Sequence, residues 1–267
     1  MATDLIGYLL AVLVGVSLGL IGSGGSILTV PILVYVMGVN PVLATAYSLF
    51  VVGTTSLVGG VQNAIQKKVD FKTVFIFGIP SIIAVYLTRA YLMPLIPDVI
   101  FSIGNFEVTK PIALMVLFAI VMIFASISMI RPCPHCKDAD SGEIKYNYPM
   151  ILLEGTLVGT LTGLVGAGGG FLIIPALVLL AKMPMKLAVG TSLFIIAAKS
   201  LLGFTGDLQG SETIDWTLLS TFTGLSVVGI FIGIFLSKKI EGNKLKSAFG
   251  WFVLVMGIYI LIKELFL

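Results

Sequence analysis

The sequence predicts an all-α integral membrane protein built from two homologous halves that lie in the membrane with opposite orientations. Hydrophobic residues make up 58% of its 267 residues and charged residues only 11%, whereas a soluble domain is about half apolar and about a quarter charged. A glycine-rich motif occurs twice, and most basic residues lie in short loops between apolar runs. A lipid bilayer is therefore the expected surrounding, with room for roughly eight to ten spans of about 20 residues each.

A duplication is visible directly in the sequence. The segment GLIGSGGS at 19–26 recurs as GLVGAGGG at 163–170, an offset of 144 residues. With that offset and no gap, 19–59 and 163–203 agree at 17 of 41 positions. Chance similarity between apolar segments produces matching Leu and Val, but rarely several glycines, a proline and two serines in register. The two halves are therefore predicted to share one fold.

Each half divides into five apolar runs. A first repeat at 1–130 is followed by a polar linker at 131–148 and a second repeat at 149–267. The second run of each half is too short to cross about 30 Å of hydrocarbon comfortably, so it is either a broken span or a re-entrant element. The predicted helices are about 5–21, 26–38, 42–65, 71–93 and 110–130 in the first repeat, and about 149–165, 170–181, 187–205, 215–236 and 247–266 in the second.

The distribution of Lys and Arg favours crossing, because loops on the cytoplasmic side are enriched in both. If all ten runs cross, one side receives twelve basic residues and the other only Arg89, Lys110 and Lys263, with Lys199 left inside the membrane. If the short runs are re-entrant, this bias is largely lost. We therefore predict about ten membrane-crossing helices, two of them short, in two five-helix repeats of inverted topology. In this multi-pass arrangement in the cell (inner) membrane, both termini lie outside and the linker 131–148 is cytoplasmic.

Two glycine-rich breaks are the strongest candidates for a binding site. Broken backbone inside a membrane is tolerated only where it faces protein or a water-filled cavity. A helix that begins at a break points its N–H groups at it, which favours an anion, and interrupted segments at matching positions of two halves indicate a transport site. The alternative is close helix packing through small residues. The residues concerned are Ser23, Gly24, Gly25 and Ser26 in the first half, and Ala167, Gly168, Gly169 and Gly170 in the second.

Hydroxyl groups follow both breaks. Thr45 and Ser48 in the first half, and Thr191 and Ser192 in the second, lie in the helix after the short run, and we expect them at matching depth. They could donate hydrogen bonds to an oxyanion. Alternatively, each hydroxyl satisfies a carbonyl group of a neighbouring helix.

Lys199 is the most pointed of the candidate site residues. It lies about twelve residues into a predicted span, and a lysine at that depth usually faces a cavity or a partner. It could attract an anion or respond to a coupling proton. Alternatively, it extends toward the outer surface with Asp207 as its partner. Because its counterpart in the first half is Thr55, the repeat does not require a lysine there.

These motifs resemble one transporter family. The pattern G-L-[IV]-G-x-G-G-x, a later Pro, the S-L-F of the third helices, and the turns Asp70-Phe71 and Asp215-Trp216 are similar to the TauE/SafE family of sulfite exporters. The resemblance covers roughly 5–93 and 150–236. It implies export of small sulfur-containing anions, such as sulfite, sulfoacetate or similar sulfonates. An importer of organosulfur anions is the nearest alternative.

The linker offers a second class of function. Cys133, His135 and Cys136 could hold a metal ion or act as a redox pair, but one chain supplies at most three of the four ligands of a structural zinc site. The membrane spans would then serve only as an anchor, a role that needs no duplicated breaks. We predict no enzyme activity, no cofactor, no metal site and no nucleic-acid partner. Besides the lipid bilayer and the anion, the expected partners are a coupling proton or sodium ion, with a homodimer left open.

Overall fold

The computed structural model describes residues 2–22, 25–103, 106–130, 148–166, 168–170, 173–174, 177, 183–208, 214–237 and 242–266. The linker cysteines and Ser23, Gly24 and Ala167 lie outside these residues. The helices of the first half are α1 (Ala2–Ile21), α2 (Ser26–Val36), α3 (Pro41–Ile65), α4 (Phe71–Leu95) and α5 (Lys110–Ile130), and those of the second are α6 (Tyr148–Val165), α7 (Met185–Asp207), α8 (Trp216–Ser237) and α9 (Gly242–Phe266).

The described part of the chain has the all-α membrane character that composition predicts. Five of its helices, α3, α4, α5, α7 and α8, contain segments long and apolar enough to cross a membrane, and α1, α2 and α6 are shorter apolar helices. One small addition is a β-hairpin between α4 and α5, in a segment that sequence reasoning treats as a loop. Its strands β1 (Val99–Ile103) and β2 (Phe106–Thr109) pair antiparallel, with Val99 opposite Thr109.

The same capping device starts the fourth helix of each half. The Asp70 carboxylate accepts hydrogen bonds from the backbone N–H groups of the first turn of α4, and the Asp215 carboxylate does the same at α8. Such caps satisfy donors that have no partner inside the helix. Each Asp also donates its own N–H to the other half, Asp70 to Thr191 Oγ1 at 2.9 Å and Asp215 to Tyr47 OH at 2.6 Å. Tyr47 and Thr191 lie 144 residues apart, at matching positions of the repeat.

The contacts between helices are symmetric with respect to the two halves, so that each contact has a counterpart between the equivalent helices. Helix α1 packs on α8, and its counterpart α6 packs on α4. Likewise α3 packs on both α7 and α8, and α7 packs on both α3 and α4. The last helices of the two halves, α5 and α9, pack on each other. The two halves therefore form one interlocked bundle.

Helices α3 and α7, which occupy the same place in the two halves, run antiparallel. Gly53 lies against Leu201, while Gly60 lies against Phe194. At the other end, the rings of Phe50 and Phe204 contact each other in a tilted arrangement, with centroids 5.1 Å apart. As residue numbers rise along α3 they fall along α7, and this register places Thr55 level with Lys199 near the middle of the pair.

Glycines hold α1 and α8 at backbone contact. A β-carbon on Gly19 would lie 2.5 Å from the Ile230 carbonyl oxygen, and one on Gly229 would collide with the Val12 carbonyl oxygen. Gly15 and Gly233 make equivalent contacts across the same pair. This close approach of small residues is typical of helix pairs in membranes, where packing and not water drives association.

Gly229→Ala should therefore lower the thermal stability of the protein in detergent, by the roughly 1–3 kcal/mol typical of overpacking. Gly224 is a matched control on the same helix, because a β-carbon there meets nothing within 4 Å. Gly224→Ala should leave the melting temperature unchanged or raise it slightly, since alanine favours helix. Equal melting temperatures for the two variants would show that α1 and α8 are not packed this closely.

Candidate functional site

The first and sixth helices end in the same way. At Gly22 and Gly166 the backbone turns into the left-handed region, with φ of 85° and 73°, which glycine adopts without steric cost. The two N–H groups donate to the Leu18 and Thr162 carbonyl oxygens at 2.8 Å. The next described residues, Gly25 and Ser26 after the first turn and Gly168 to Gly170 after the second, are buried.

The two breaks approach each other between α3 and α7. A β-carbon on Gly168 would lie 3.4 Å from Ser26 Cβ and 2.6 Å from Val52 Cγ1. Ser26 and Gly168 to Gly170 are all buried, so the segments that follow the two breaks meet inside the bundle. The sequence prediction that both breaks contribute to one region therefore has a geometric counterpart in the described residues.

Lys199 faces the second break. Its side chain is fully buried, and Nζ donates to Thr162 Oγ1 at 3.1 Å. A β-carbon on Gly169 would lie only 2.8 Å from Lys199 Nζ. Among the described residues Lys199 makes no ion pair, so its charge lies beside glycine backbone without a carboxylate.

The alternative in which Lys199 extends outward to Asp207 is wrong. Asp207 instead contacts Arg89, with Nη1 and Oδ1 3.3 Å apart. Lys199 and Asp207 are separated by eight residues, or about 12 Å along α7 at 1.5 Å per residue. Lys199 therefore belongs to the middle of the α3–α7 pair.

Several buried hydroxyl groups have no hydrogen-bond partner among the described residues. One is Thr55, the counterpart of Lys199 in the first half and level with it. Because buried polar groups are normally hydrogen-bonded, such groups mark where a polar ligand could be accommodated. The hydroxyls concerned belong to Thr29, Ser48, Thr55, Ser56, Ser81 and Ser200.

The four predicted hydroxyl residues do not form one site. The antiparallel register places Ser192 level with Gln62, fourteen residues from Ser48, so the two serines lie about 20 Å apart along the helices. The antiparallel pairing of α3 and α7 carries these matching positions toward opposite ends of the pair, which differs from the expectation of matching depth. Thr191 accepts the Asp70 N–H, and Ser192 donates to the Val189 carbonyl oxygen at 2.9 Å.

Arg89 is a second buried cation that sequence reasoning missed. Its side chain is fully buried, and Nη1 donates to Thr45 Oγ1 at 3.1 Å in addition to contacting Asp207. Sequence reasoning assigned Arg89 to the outer charges, although it lies four residues inside the predicted helix 71–93. That position was the available signal, because an arginine inside a span is functional by default.

The arrangement suits anion binding better than metal binding. No group of three or more His, Cys, Asp or Glu side chains that could hold a metal ion occurs among the described residues. The breaks instead bring glycine backbone and hydroxyls next to a buried ammonium group. An anion there would meet a charge and several donors without crossing a bulky side chain.

Comparison with known proteins gives a consistent assignment. The family described as Sulfite exporter TauE/SafE matches residues 7–260. A probable membrane transporter protein of Xylella fastidiosa (strain 9a5c) is 29% identical over 253 residues, covering 93% of this chain and 91% of that protein.

Two further relatives carry the same description. One from Bacillus subtilis (strain 168) is 26% identical over 283 residues, covering 96% of this chain and 97% of the relative. One from Methanocaldococcus jannaschii is 29% identical over 272 residues, covering 95% of each chain. No solved structure matches this chain significantly. The protein is a membrane transporter and not an enzyme, and the chain belongs to the sulfite exporter TauE/SafE family.

Proposed function

We propose that the protein is a secondary transporter that exports small sulfur-containing anions, such as sulfite or sulfonates, across the inner membrane. One observation carries the proposal: Lys199 is fully buried beside the Gly169 break, and no carboxylate pairs with it among the described residues. An unpaired charge in a protein interior is costly. An anion at the break would offset that cost.

The anion would bind between Lys199 and the two glycine breaks. The proposed donors are Lys199 Nζ and the backbone N–H groups of Gly168 to Gly170. Donor groups of the first break, near Ser26, would complete the site, because Ser26 lies against Gly168. Because glycine has no side chain, the backbone can approach an oxyanion closely. We extend the proposal to Ser23, Gly24, Gly25 and Ala167, which belong to the same breaks in the sequence.

We further propose that the two halves have inverted topology, with ten crossing elements. The antiparallel pairing of α3 and α7 supports this, because equivalent helices related by an axis along the membrane normal would run parallel. The buried position of Arg89 also increases the charge bias, since the outer side then has two basic residues and the cytoplasmic side has twelve. On the charge bias, the proposed orientation has both termini outside and the linker in the cytoplasm.

Cysteine labelling tests this topology. In a variant with Cys133 and Cys136 replaced by serine, Ser141→Cys should resist a membrane-impermeant maleimide in intact cells and react after permeabilisation. Asp98→Cys is the matched control, because Asp98 is exposed in the segment between α4 and the hairpin and should react in intact cells. Efficient labelling of position 141 in intact cells would contradict the proposed orientation.

Transport assays in proteoliposomes test the function itself. Vesicles loaded with ³⁵S-sulfite should release it faster than protein-free vesicles, and unlabelled substrate anions should compete. Imposed proton and sodium gradients identify the coupling ion. Equal leakage with and without protein, for sulfite, thiosulfate and sulfoacetate alike, would contradict the proposal.

The same assay separates this function from the linker-based alternative. Replacing Cys133 and Cys136 by serine should leave anion efflux unchanged, since neither residue belongs to the proposed site. Loss of efflux in this double variant, with normal expression, would instead favour a working redox or metal-binding linker.

A further inference from the structure

We propose that Arg89 forms a second anion-binding station, where the Asp207 carboxylate neutralises the guanidinium in the present conformation and where the transported anion, binding at the free edge of the guanidinium, drives Asp207 away by charge repulsion. This inference rests on the proposed function and names a step in the anion's path. The station consists of the Arg89 guanidinium on α4, the Thr45 hydroxyl on α3 and the Asp207 carboxylate at the end of α7.

The contact between Arg89 and Asp207 is incomplete. A single pair of atoms, Nη1 and Oδ1, joins them at 3.3 Å, whereas arginine and carboxylate groups commonly form two parallel hydrogen bonds. Arg89 Nε and Nη2 and Asp207 Oδ2 are buried and have no hydrogen-bond partner among the described residues. A pair with a purely structural role would be expected to satisfy these atoms, because burying them unsatisfied costs free energy.

The unpartnered atoms have the shape of an oxyanion site. Nε and Nη2 lie along one edge of the planar guanidinium, and two N–H groups on one edge match two oxygens of an oxyanion. The Thr45 hydroxyl oxygen accepts from Nη1, which is not on this edge. The hydroxyl itself donates to the Val42 carbonyl oxygen at 2.7 Å. Arg89 can therefore bind an anion through this edge without leaving Thr45.

The station lies beside the end of α7, the helix that also carries Lys199. Asp207 and Lys199 are both on α7, eight residues or about 12 Å apart. The Arg89 side chain is fully buried, while the Asp207 side chain is 17% exposed. An anion leaving Lys199 along α7 would thus meet Arg89 next, and Asp207 is the member of the pair closer to the surface.

Asp207 acts as a resident competitor for the anion. Its carboxylate neutralises Arg89 when no anion is present, and it can move toward the surface when an anion arrives. A competitor of this kind keeps binding at Arg89 weak enough for release, because transport requires that each site be left as readily as it is entered. Without Asp207, the station would bind the anion more tightly.

Binding of ³⁵S-sulfite to purified protein tests this assignment. Lys199→Met removes the central cation, and this variant should show no detectable binding. Adding Asp207→Asn should restore binding of about one sulfite per chain, and adding Arg89→Gln to that double variant should abolish it again. Glu264→Gln is the matched control in place of Asp207→Asn, since this carboxylate contacts Tyr35 and should restore nothing.

Three outcomes would overturn the station. These are no sulfite binding by the Lys199→Met, Asp207→Asn protein, binding that survives Arg89→Gln, or equal binding with the Glu264→Gln control. If a variant elutes aggregated on size exclusion, its thermal unfolding in membranes with sulfite or chloride replaces the binding assay. Selective stabilisation by sulfite supports the station, and equal stabilisation by chloride counts against it. Failure of wild-type protein to bind sulfite would contradict the proposed function instead.

Discussion

Replacing Lys199 by methionine is expected to abolish anion binding while leaving the ligand-free protein at least as stable as the wild type. Truncating one partner of a buried charge pair costs about 2–5 kcal/mol, or roughly thirtyfold to several thousandfold in affinity. Methionine retains most of the side-chain volume, and it removes a buried charge that has no carboxylate partner among the described residues. The measurements are equilibrium binding of ³⁵S-sulfite and the melting temperature in detergent.

The combination of the two readouts separates a binding role from a structural one. A lysine that served only to join α7 to α6 through Thr162 would lower the melting temperature when replaced and leave affinity nearly intact. Thr162→Val is a matched control, because it removes that hydrogen bond and keeps the charge. Affinity that survives Lys199→Met but falls with Thr162→Val would contradict the proposed role of the ammonium group.

Gly169→Ala is expected to lower anion affinity by a similar amount. At Gly169 φ is 60°, where an L-residue is strained by about 1–2 kcal/mol. A β-carbon there would collide with Thr162 Oγ1 and lie 2.8 Å from Lys199 Nζ. The added methyl group would therefore occupy part of the space proposed for the anion. It would also push the ammonium group away from the break. Binding of ³⁵S-sulfite and the rate of efflux from proteoliposomes both measure the effect.

Gly25→Ala provides the contrast, although sequence reasoning treats the two glycines as equivalent. A β-carbon on Gly25 would lie 2.6 Å from the Leu18 backbone nitrogen and 2.8 Å from the Val14 carbonyl oxygen. Backbone atoms of α1 cannot move aside as a side chain can, so this variant should lose thermal stability and expression. If Gly25→Ala lost stability as expected but Gly169→Ala kept full affinity, the breaks would be packing elements only.

Composition and the repeat suffice to predict the class of the protein and its family. The apolar content excludes a soluble domain, and the paired glycine motifs carry the TauE/SafE resemblance that the match over residues 7–260 confirms. Lys199 could also be singled out from the sequence, since a lysine deep in a span is rare. The residues that contact Lys199 could not be predicted, because Thr162 and Gly169 are far from it in sequence and come close to it only through packing.

Two errors show where pattern reasoning fails. The repeat predicts the same depth for matching positions such as Ser48 and Ser192, but the antiparallel pairing of α3 and α7 carries them toward opposite ends. The charge count places Arg89 with the outer-side basic residues, although it lies inside the predicted helix 71–93. Here Asp207 and Thr45, from two other helices, compensate its burial, and no local sequence signal reports such partners.

The position of a bound anion tests the central proposal most directly. Selenite has the shape and charge of sulfite and contains a strong anomalous scatterer, so crystals grown with it can be measured at the selenium absorption edge. We predict an anomalous peak within hydrogen-bonding distance of Lys199 Nζ, beside Gly169, that disappears when excess sulfite is added. A reproducible peak elsewhere in the protein, with none beside Lys199, would contradict the proposed site.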